Sequence, residues 1–370
     1  MMLADSGRNR EVALLGVGGL VLVLTYWGIG WLCMPGSRLY LLDYPNARSL
    51  HEIPTPRTGG LALLVSAAIG LIVATLWEFP TQAWWLSASQ TSPTAGAWIL
   101  AMTVLLAVVS FWDDRDGLPV LLRLAVQLIA AATVVIGAGV SLSSLSLPAV
   151  GSLSFEGVAV PLTLLFVLWM TNLYNFMDGM DGFAGGMTVF GFGAIAYFAW
   201  QAQHPFILIL SLIISMGAVG FLLYNLPPAR IFMGDVGSIS LGFLSGTLSV
   251  LGVQDGLFDI WTPLLVFSPF VLDATTTMLG RAVRGEKIWE AHRTHYYQRL
   301  VLHGWGHRKT LLSEYALMAL CVAAAVLYHG ATDSGRLAIL VVWILGFAGL
   351  AVGVGLMEQR AGQQGRMYED

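Results

Sequence analysis

Residues 172–186 read Asn172-Leu-Tyr-Asn175-Phe-Met-Asp178-Gly-Met-Asp181-Gly-Phe-Ala-Gly-Gly186 and lie between two long apolar runs. The four polar residues recur every third position, so on a helix end or helix-like turn each is rotated about 60° from the last and all four share one face. Gly179, Gly182, Gly185 and Gly186 interrupt the chain and let backbone amides come close to a ligand. A polar hinge capping two helices would need a single carboxylate. Here there are two, in a chain with few charges, so the stretch reads as a site.

Only 11% of residues are charged and 56% are hydrophobic, with a mean hydropathy of +0.74, whereas soluble domains carry about 25% charged residues. The fold expected is all-α, a polytopic integral membrane protein. Apolar runs at 12–33, 59–77, 96–112, 118–140, 159–174, 183–201, 206–224, 237–253, 259–281, 311–329 and 337–357 give about eleven transmembrane helices. With the first span entering from outside, fifteen of the eighteen Lys and Arg residues fall on inside segments, leaving Arg8, Arg10 and Arg336 outside. The positive-inside rule then places the N-terminus outside and the C-terminus in the cytoplasm. No cleavable signal peptide is expected, because the first run is long enough to span. Cys33 and Cys321 sit at or in apolar runs, which argues against a disulfide framework or a zinc site. The net charge of −4 says little about partners, and no nucleic-acid partner is expected.

The outside loops 78–95 and 141–158 hold few ionisable groups, and the inside loops hold nearly all of them. The first inside loop carries Asp43, Arg48 and His51 and then Pro54-Thr-Pro-Arg57-Thr-Gly59-Gly60. Taken singly, its basic residues Arg48, Arg57 and His51 read as topology signals or lipid contacts just as well as they read as site residues. In the second, Phe111-Trp-Asp113-Asp114-Arg115-Asp116-Gly117, adjacent carboxylates repel unless a divalent cation, a basic group or solvent offsets them; Arg123 and Gln127 follow on the next span. Asn225 and Phe232-Met-Gly234-Asp235 come next, with Asp235 at the mouth of a span, where an N-cap is the lesser alternative to a site role. Asp273 lies inside the ninth run, facing a polar interior or a structural partner. In 281–310, His292 and His295 are three apart with Arg293 between, a pattern that favours anion contact over metal. Carboxylates gathered among cations on one membrane face fit a metal–phosphate site. Mg²⁺ takes one or two carboxylates and fills its octahedron with water and phosphate, and arginines hold the remaining phosphate oxygens. A secondary transporter would instead place its carboxylates near mid-membrane, in corresponding positions of two halves.

Together these motifs resemble the polyprenyl-phosphate N-acetylhexosamine-1-phosphate transferases, of glycosyltransferase family 4 type. Five ordered segments within 43–300 carry the likeness: the Asp43 to Gly60 loop, Asp113-Asp114, Asn175-x-x-Asp178-Gly-x-Asp181-Gly, Asn225 with Phe232 to Asp235, and the His292 to His295 loop. The resemblance implies a single transmembrane transferase domain over 1–370, with 358–370 as a flexible cytoplasmic tail. It implies a multi-pass enzyme of the bacterial inner membrane with its active site on the cytoplasmic face. There, undecaprenyl phosphate attacks a UDP-N-acetylhexosamine, giving a lipid-diphosphate sugar and UMP, with Mg²⁺ or Mn²⁺ as cofactor; a homodimer is compatible with this reading.

Residue by residue, the resemblance implies that Asp113, Asp114, Asp178 and Asp235 are catalytic, with Asp235 and Asp178 holding the metal. Asn175, Asp181, Asn225, Arg123, Arg293, His295, His292, Arg48 and His51 would bind substrate. Relatives of the peptidoglycan branch, the phospho-N-acetylmuramoyl-pentapeptide transferases, carry a histidine run where this chain has Tyr296 and Tyr297. The loop looks more like the O-antigen-initiating branch, which implies N-acetylglucosamine or a 6-deoxy relative such as N-acetylfucosamine or N-acetylquinovosamine as the sugar.

Overall fold

A computed structural model describes residues 2–37, 39–45, 49–77, 92–287 and 292–367, with side chains described within the span 12–359. Among the described residues ten helices are long and apolar enough to cross a membrane. They are α1 (Met2–Leu32), α2 (Gly59–Trp77), α3 (Ala95–Asp116), α4 (Val120–Ala132, continued by a wider turn to Gly137), α5 (Ala159–Met177), α6 (Phe183–Gln201), α7 (Pro205–Asn225), α8 (Gly234–Gln254), α12 (Gly306–Gly330) and α13 (Asp333–Met367). Between α8 and α12 lie three shorter helices, α9 (Trp261–Val266), α10 (Ser268–Val283) and α11 (Tyr296–Leu300). A bilayer offers the backbone no hydrogen-bond partner, so each apolar run must satisfy its own amides as a helix.

Ten of the eleven predicted runs are thus single helices, and several extend past the apolar run into the motif residues. α3 runs to Asp116 rather than 112, α5 to Met177 rather than 174, and α8 begins at Gly234 rather than 237. Hydropathy falls where the polar residues begin, but backbone hydrogen bonding continues, so Asp113, Asp114, Asn175 and Asp235 stand on terminal helical turns. The ninth run, 259–281, is broken at Phe267 into α9 and α10. Pro269 lacks an amide proton and its ring would clash with the carbonyl of Leu265 in a continuous helix, whereas near the start of α10 it costs nothing. The pair still carries the chain from the end of the bundle reached by α8 back to the end holding Asp235. α13 continues to Met367, so 358–367, expected to be flexible, are helical; only Gly362 and Gly365 weaken the helix there, and Glu358 is anchored by Arg299. Residues 368–370 of that tail lie outside the described residues.

α8 is the axis of the bundle, with 94% of its central window buried. Its many Gly, Ser and Thr residues allow close helix approach, and its hydroxyls return hydrogen bonds to their own backbone, as Thr247 Oγ1 does to Phe243 O (2.8 Å) and Ser249 Oγ to Ser245 O (2.6 Å). At Gly60 a β-carbon would lie 2.3 Å from Gly237 Cα, so α2 and α8 cross at backbone contact. In α4, Leu121, Leu124, Leu128 and Ile129 are exposed while Gln127 is buried, so the helix turns its apolar stripe outward and Arg123 and Gln127 inward.

Two short antiparallel pairs complete the fold. β1 (Leu42–Asp43) pairs with β2 (Thr55–Pro56), and Phe232 N to Pro56 O (2.7 Å), Gly59 N to Phe232 O (2.9 Å) and Gly60 N to Met233 O (2.8 Å) knit this loop to the start of α8. At the other end of the bundle, β3 (Ser144–Leu147) pairs with β4 (Gly151–Ser154) in the loop read as outside.

Candidate active site

The helix ends at one face of the bundle surround a cavity of about 670 Å³. Asp113 and Asp114 are consecutive on the last turn of α3, so their side chains point about 100° apart. Asp113 Oδ2 accepts from Arg123 Nη1 (2.8 Å) and its Oδ1 from the backbone N–H of Leu118 (2.7 Å). Asp114 turns to the N-terminus of α8, where Oδ2 accepts from Val236 N (3.3 Å) and Oδ1 lies 3.6 Å from Arg57 Nε. Arg57 also donates to the backbone carbonyl of Asp114. α8 is therefore capped by a carboxylate from α3, and Asp235, for which capping was the lesser alternative, does not serve as the cap. This approach requires glycine at 234, where φ is +72° and a β-carbon would lie 2.1 Å from Arg57 O.

Asp235 faces Arg123 across the cavity, Oδ2 to Nη1 at 3.5 Å. Its Oδ1 accepts from Asn175 Nδ2 (2.9 Å), which also reaches Ser238 Oγ (2.9 Å). Arg123 thus stands between Asp113 and Asp235, and Gln127, one turn on, fixes α4 by accepting from Asn172 Nδ2 (2.8 Å). Asp178 follows the last turn of α5, and its carboxylate has no hydrogen-bond donor among the described residues. Burial, with Asp235, Asp114 and Asp43 around it, holds its carboxyl well above the usual range.

The opposite wall is built by the 292–298 loop. Asp273, inside the broken span, is its anchor: it accepts from Tyr296 N (3.0 Å), Tyr297 N (3.2 Å) and Thr277 Oγ1 (3.1 Å), and His295 Nδ1 lies 3.0 Å from Oδ1. The structural pairing of Asp273 is thereby settled. His292 Nδ1 accepts from Thr294 N (3.4 Å), and burial with His295 and Arg281 nearby lowers its pKa to about 4. Its ring is neutral near pH 7, with the proton on Nε2.

Eleven of the thirteen expected site residues line this cavity: Asp113, Asp114, Arg123, Asn175, Asp178, Asp181, Asn225, Asp235, His292, His295 and His51. Arg293, expected to meet phosphate, does not. Its side chain is exposed, and His292 and His295 on either side of it take the inward direction. Arg48 lies outside the described residues. Asn225 borders the cavity but both ends of its amide serve the backbone, accepting from Gly182 N (2.9 Å) and donating to Ile231 O (2.8 Å), so it joins loops. Asp181 Oδ2 accepts from Ala229 N (3.0 Å). Three ionisable cavity residues escaped the sequence reading of the site. Asp43 and Arg57 come from the first inside loop, where the Pro-Arg-Thr-Gly-Gly run was the available signal; His307, 3.7 Å from Asp181, carried none.

Among the described residues no three His, Cys, Asp or Glu side chains converge as a ready-made metal cage. Mg²⁺ does not need one, since it binds through one or two carboxylates plus water and phosphate. Asp178, without a donor among the described residues, and Asp235, set among Asn175, Arg123 and Asp113, are the carboxylates that would supply that donor set.

The family model for glycosyl transferase family 4 matches residues 97–253, the segment from α3 to α8 that carries Asp113 through Asp235. The chain is 30% identical over 322 residues to the probable undecaprenyl-phosphate N-acetylglucosaminyl 1-phosphate transferase of Bacillus subtilis (strain 168), covering 86% of each chain. It is 30% identical over 344 residues to the decaprenyl-phosphate N-acetylglucosaminephosphotransferase of Mycolicibacterium smegmatis, covering 85% of this chain and 82% of that one. The phospho-N-acetylmuramoyl-pentapeptide-transferase of Enterococcus hirae is 30% identical over 274 residues, 69% of this chain and 78% of its own.

Proposed function

The chain belongs to glycosyl transferase family 4, the polyprenyl-phosphate N-acetylhexosamine-1-phosphate transferases, and from that premise we propose that it moves N-acetylglucosamine-1-phosphate from UDP-N-acetylglucosamine to undecaprenyl phosphate. One oxygen of the lipid phosphate bonds to the β-phosphorus of the donor, the bond to the UMP oxygen breaks, and UMP leaves with the electron pair. The product, a lipid-diphosphate sugar, would start O-antigen or another envelope polysaccharide at the cytoplasmic face of the inner membrane. The observation that carries the reading is the meeting of six carboxylates and two arginines from five separate segments in one cavity at a single end of the bundle. The sugar rests on the names of two relatives, both N-acetylglucosamine enzymes, with the 6-deoxy sugars as competitors.

A phosphate monoester is largely ionised near pH 7, so direct attack barely needs a base. Asp113 and Arg123 then orient and balance charge at the acceptor phosphate, and no covalent aspartyl intermediate is required. Asn175 holds Asp235, and Asp114 with Arg57 holds the start of α8 in place. Asp178 and Asp235 would hold Mg²⁺ or Mn²⁺, which when bound supplies charge neutralisation and orientation of the diphosphate. His292 and His295 face the donor from the opposite wall. The likeness to the Enterococcus hirae enzyme favours a second reading, with a UDP-N-acetylmuramoyl-pentapeptide donor. Purified protein offered undecaprenyl phosphate with UDP-N-acetylglucosamine, UDP-N-acetylfucosamine, UDP-N-acetylquinovosamine and UDP-N-acetylmuramoyl-pentapeptide in competition tests both. UMP release and a butanol-extractable labelled lipid are the readouts. Preference for the pentapeptide donor would overturn the proposed sugar, and no labelled lipid from any donor would overturn the reaction.

A further inference from the structure

The 292–298 wall of the cavity ends in α11, which has only five residues. A single helical turn is not stable by itself. Nor does α12 steady it, because Val301–Trp305 between them contains non-helical residues, His303 and Gly304, and Gly304 and Gly306 have φ of +94° and +68°. The position of α11 is therefore set by Tyr297, buried within it against Phe183 with its hydroxyl donating to Phe176 O (3.4 Å), and by what holds its two ends. At the first end Asp273 receives the amides of Tyr296 and Tyr297 and the ring of His295. At the other end Arg299 presents both sides of its guanidinium to Glu358 of α13, Nε to Oε1 at 2.6 Å and Nη2 to Oε2. Arg299 also lies 4.8 Å over the Tyr296 ring, and its amide donates to His295 O (2.9 Å).

α13 is otherwise the loosest helix of the bundle, with 6% of its central window buried, against 94% for α8. It touches the body at its far end, where Arg336 donates to the carbonyls of Tyr328 and His329, and at Trp343, whose Nε1 donates to Ser268 Oγ (2.9 Å). A helix that packs so little yet delivers a two-pronged carboxylate to the site loop acts as a strut. We propose that Glu358 is a positioning residue for the cavity wall, holding α11 through Arg299 so that His295 and Gln298, both of which line the cavity, keep their places on that wall. Asp273 and Glu358 form a clamp, one at each end of the turn. Glu358 touches no substrate; its influence passes through Arg299.

The kinetic part of the test rests on the proposed function, and the exchange part does not. Glu358→Gln keeps shape and removes the charge; Arg299→Lys keeps the charge and removes the fork. In the full chain, hydrogen exchange of 295–301 should quicken by about tenfold in both variants, as expected for losing one charge-assisted, two-pronged contact, with α6 to α8 unchanged. Weaker occupancy of the competent wall raises the KM for UDP-N-acetylglucosamine by about fivefold, while the KM for polyprenyl phosphate, which meets the Asp113 side, stays within about twofold. Exchange and KM as in the wild type in both variants would overturn the proposal. So would exchange raised throughout the bundle, or both KM values moving together, since either would make the pair a general stabilising contact. If the wild type does not turn over UDP-N-acetylglucosamine, the proposed sugar falls and the exchange measurement alone decides the strut.

Discussion

Replacing Arg123 by Gln removes the cation that stands between Asp113, at 2.8 Å, and Asp235, at 3.5 Å. At an effective dielectric constant near 20 the two attractions are about 6 and about 5 kcal/mol before desolvation is counted. The Arg123 side chain is 36% exposed, so solvent screens much of this, and the net value of a charge-assisted hydrogen bond, about 1.5–3 kcal/mol, is the better guide. If that contact is kept in the transition state, kcat/KM falls by about 10- to 150-fold. A second readout separates charge from shape: without their guanidinium, Asp113 and Asp235 repel each other, so the apparent affinity for Mg²⁺ should rise while turnover falls. Arg123→Lys, with a single nitrogen, should lie between. Arg115→Gln, whose partner Asp116 is 3.8 Å away with both side chains exposed, should behave as wild type. The assay is UMP release across a Mg²⁺ series with donor and acceptor each varied. Turnover of Arg123→Gln within about threefold of wild type at every Mg²⁺ concentration would refute the assignment.

Chelation should abolish turnover, and Asp235→Asn should lower it by about a hundredfold or more while the protein still elutes as a folded species, because a few kcal/mol of charge stabilisation is lost; near-normal activity at limiting Mg²⁺ would exclude Asp235 as a ligand. Gly60→Ala drives a methyl into Gly237 and should lower stability by about 1–3 kcal/mol or more in a thermal-unfolding assay, whereas Gly19→Ala, which meets nothing within 4 Å, should not; equal unfolding temperatures would refute the helix contact. For His292 the folded pKa, about 4, lies below the ordinary 6.5, so the stability its neutral ring contributes is complete above about 6.5 and is lost as pH falls from there toward about 4. His292→Gln should flatten that acid-side loss, and an NMR titration of the ring with a midpoint near 6.5 would contradict the burial. Reporter fusions in 113–117 and 281–310 should both read cytoplasmic, since both segments reach the same cavity; opposite readings would break the site.

Much of the bundle was legible because hydropathy and backbone satisfaction are local. Each apolar run had to be a helix, and ten of eleven are single ones. The exception, 259–281, shows the limit of an apolar average: Pro263 and Pro269 were in plain view, yet whether the run bends, splits or ends depends on what packs around Phe267, here the backbone of α6 at Gly191. The motif residues were legible too, because ionisable groups are rare enough in this composition that clusters of them stand out.

By itself the sequence determined an all-helical membrane bundle and the set of residues from which a phosphate site could be made. Tertiary structure decided which of them meet and what each one does. Asp113 and Asp114 are chemically identical neighbours, yet one faces Arg123 and the other caps a helix 122 residues away. Asn225 borders the cavity and also joins two loops, Arg293 turned outward, Arg57 entered the cavity from the Pro-Arg-Thr-Gly-Gly run, and His307 entered it with no signal. The cause is geometric. Neighbours on a helix diverge by about 100°, and partners 57 or 122 positions apart meet only when the crossing and rotation of packed helices are fixed, which contacts such as Gly60 on Gly237 do and no local pattern can.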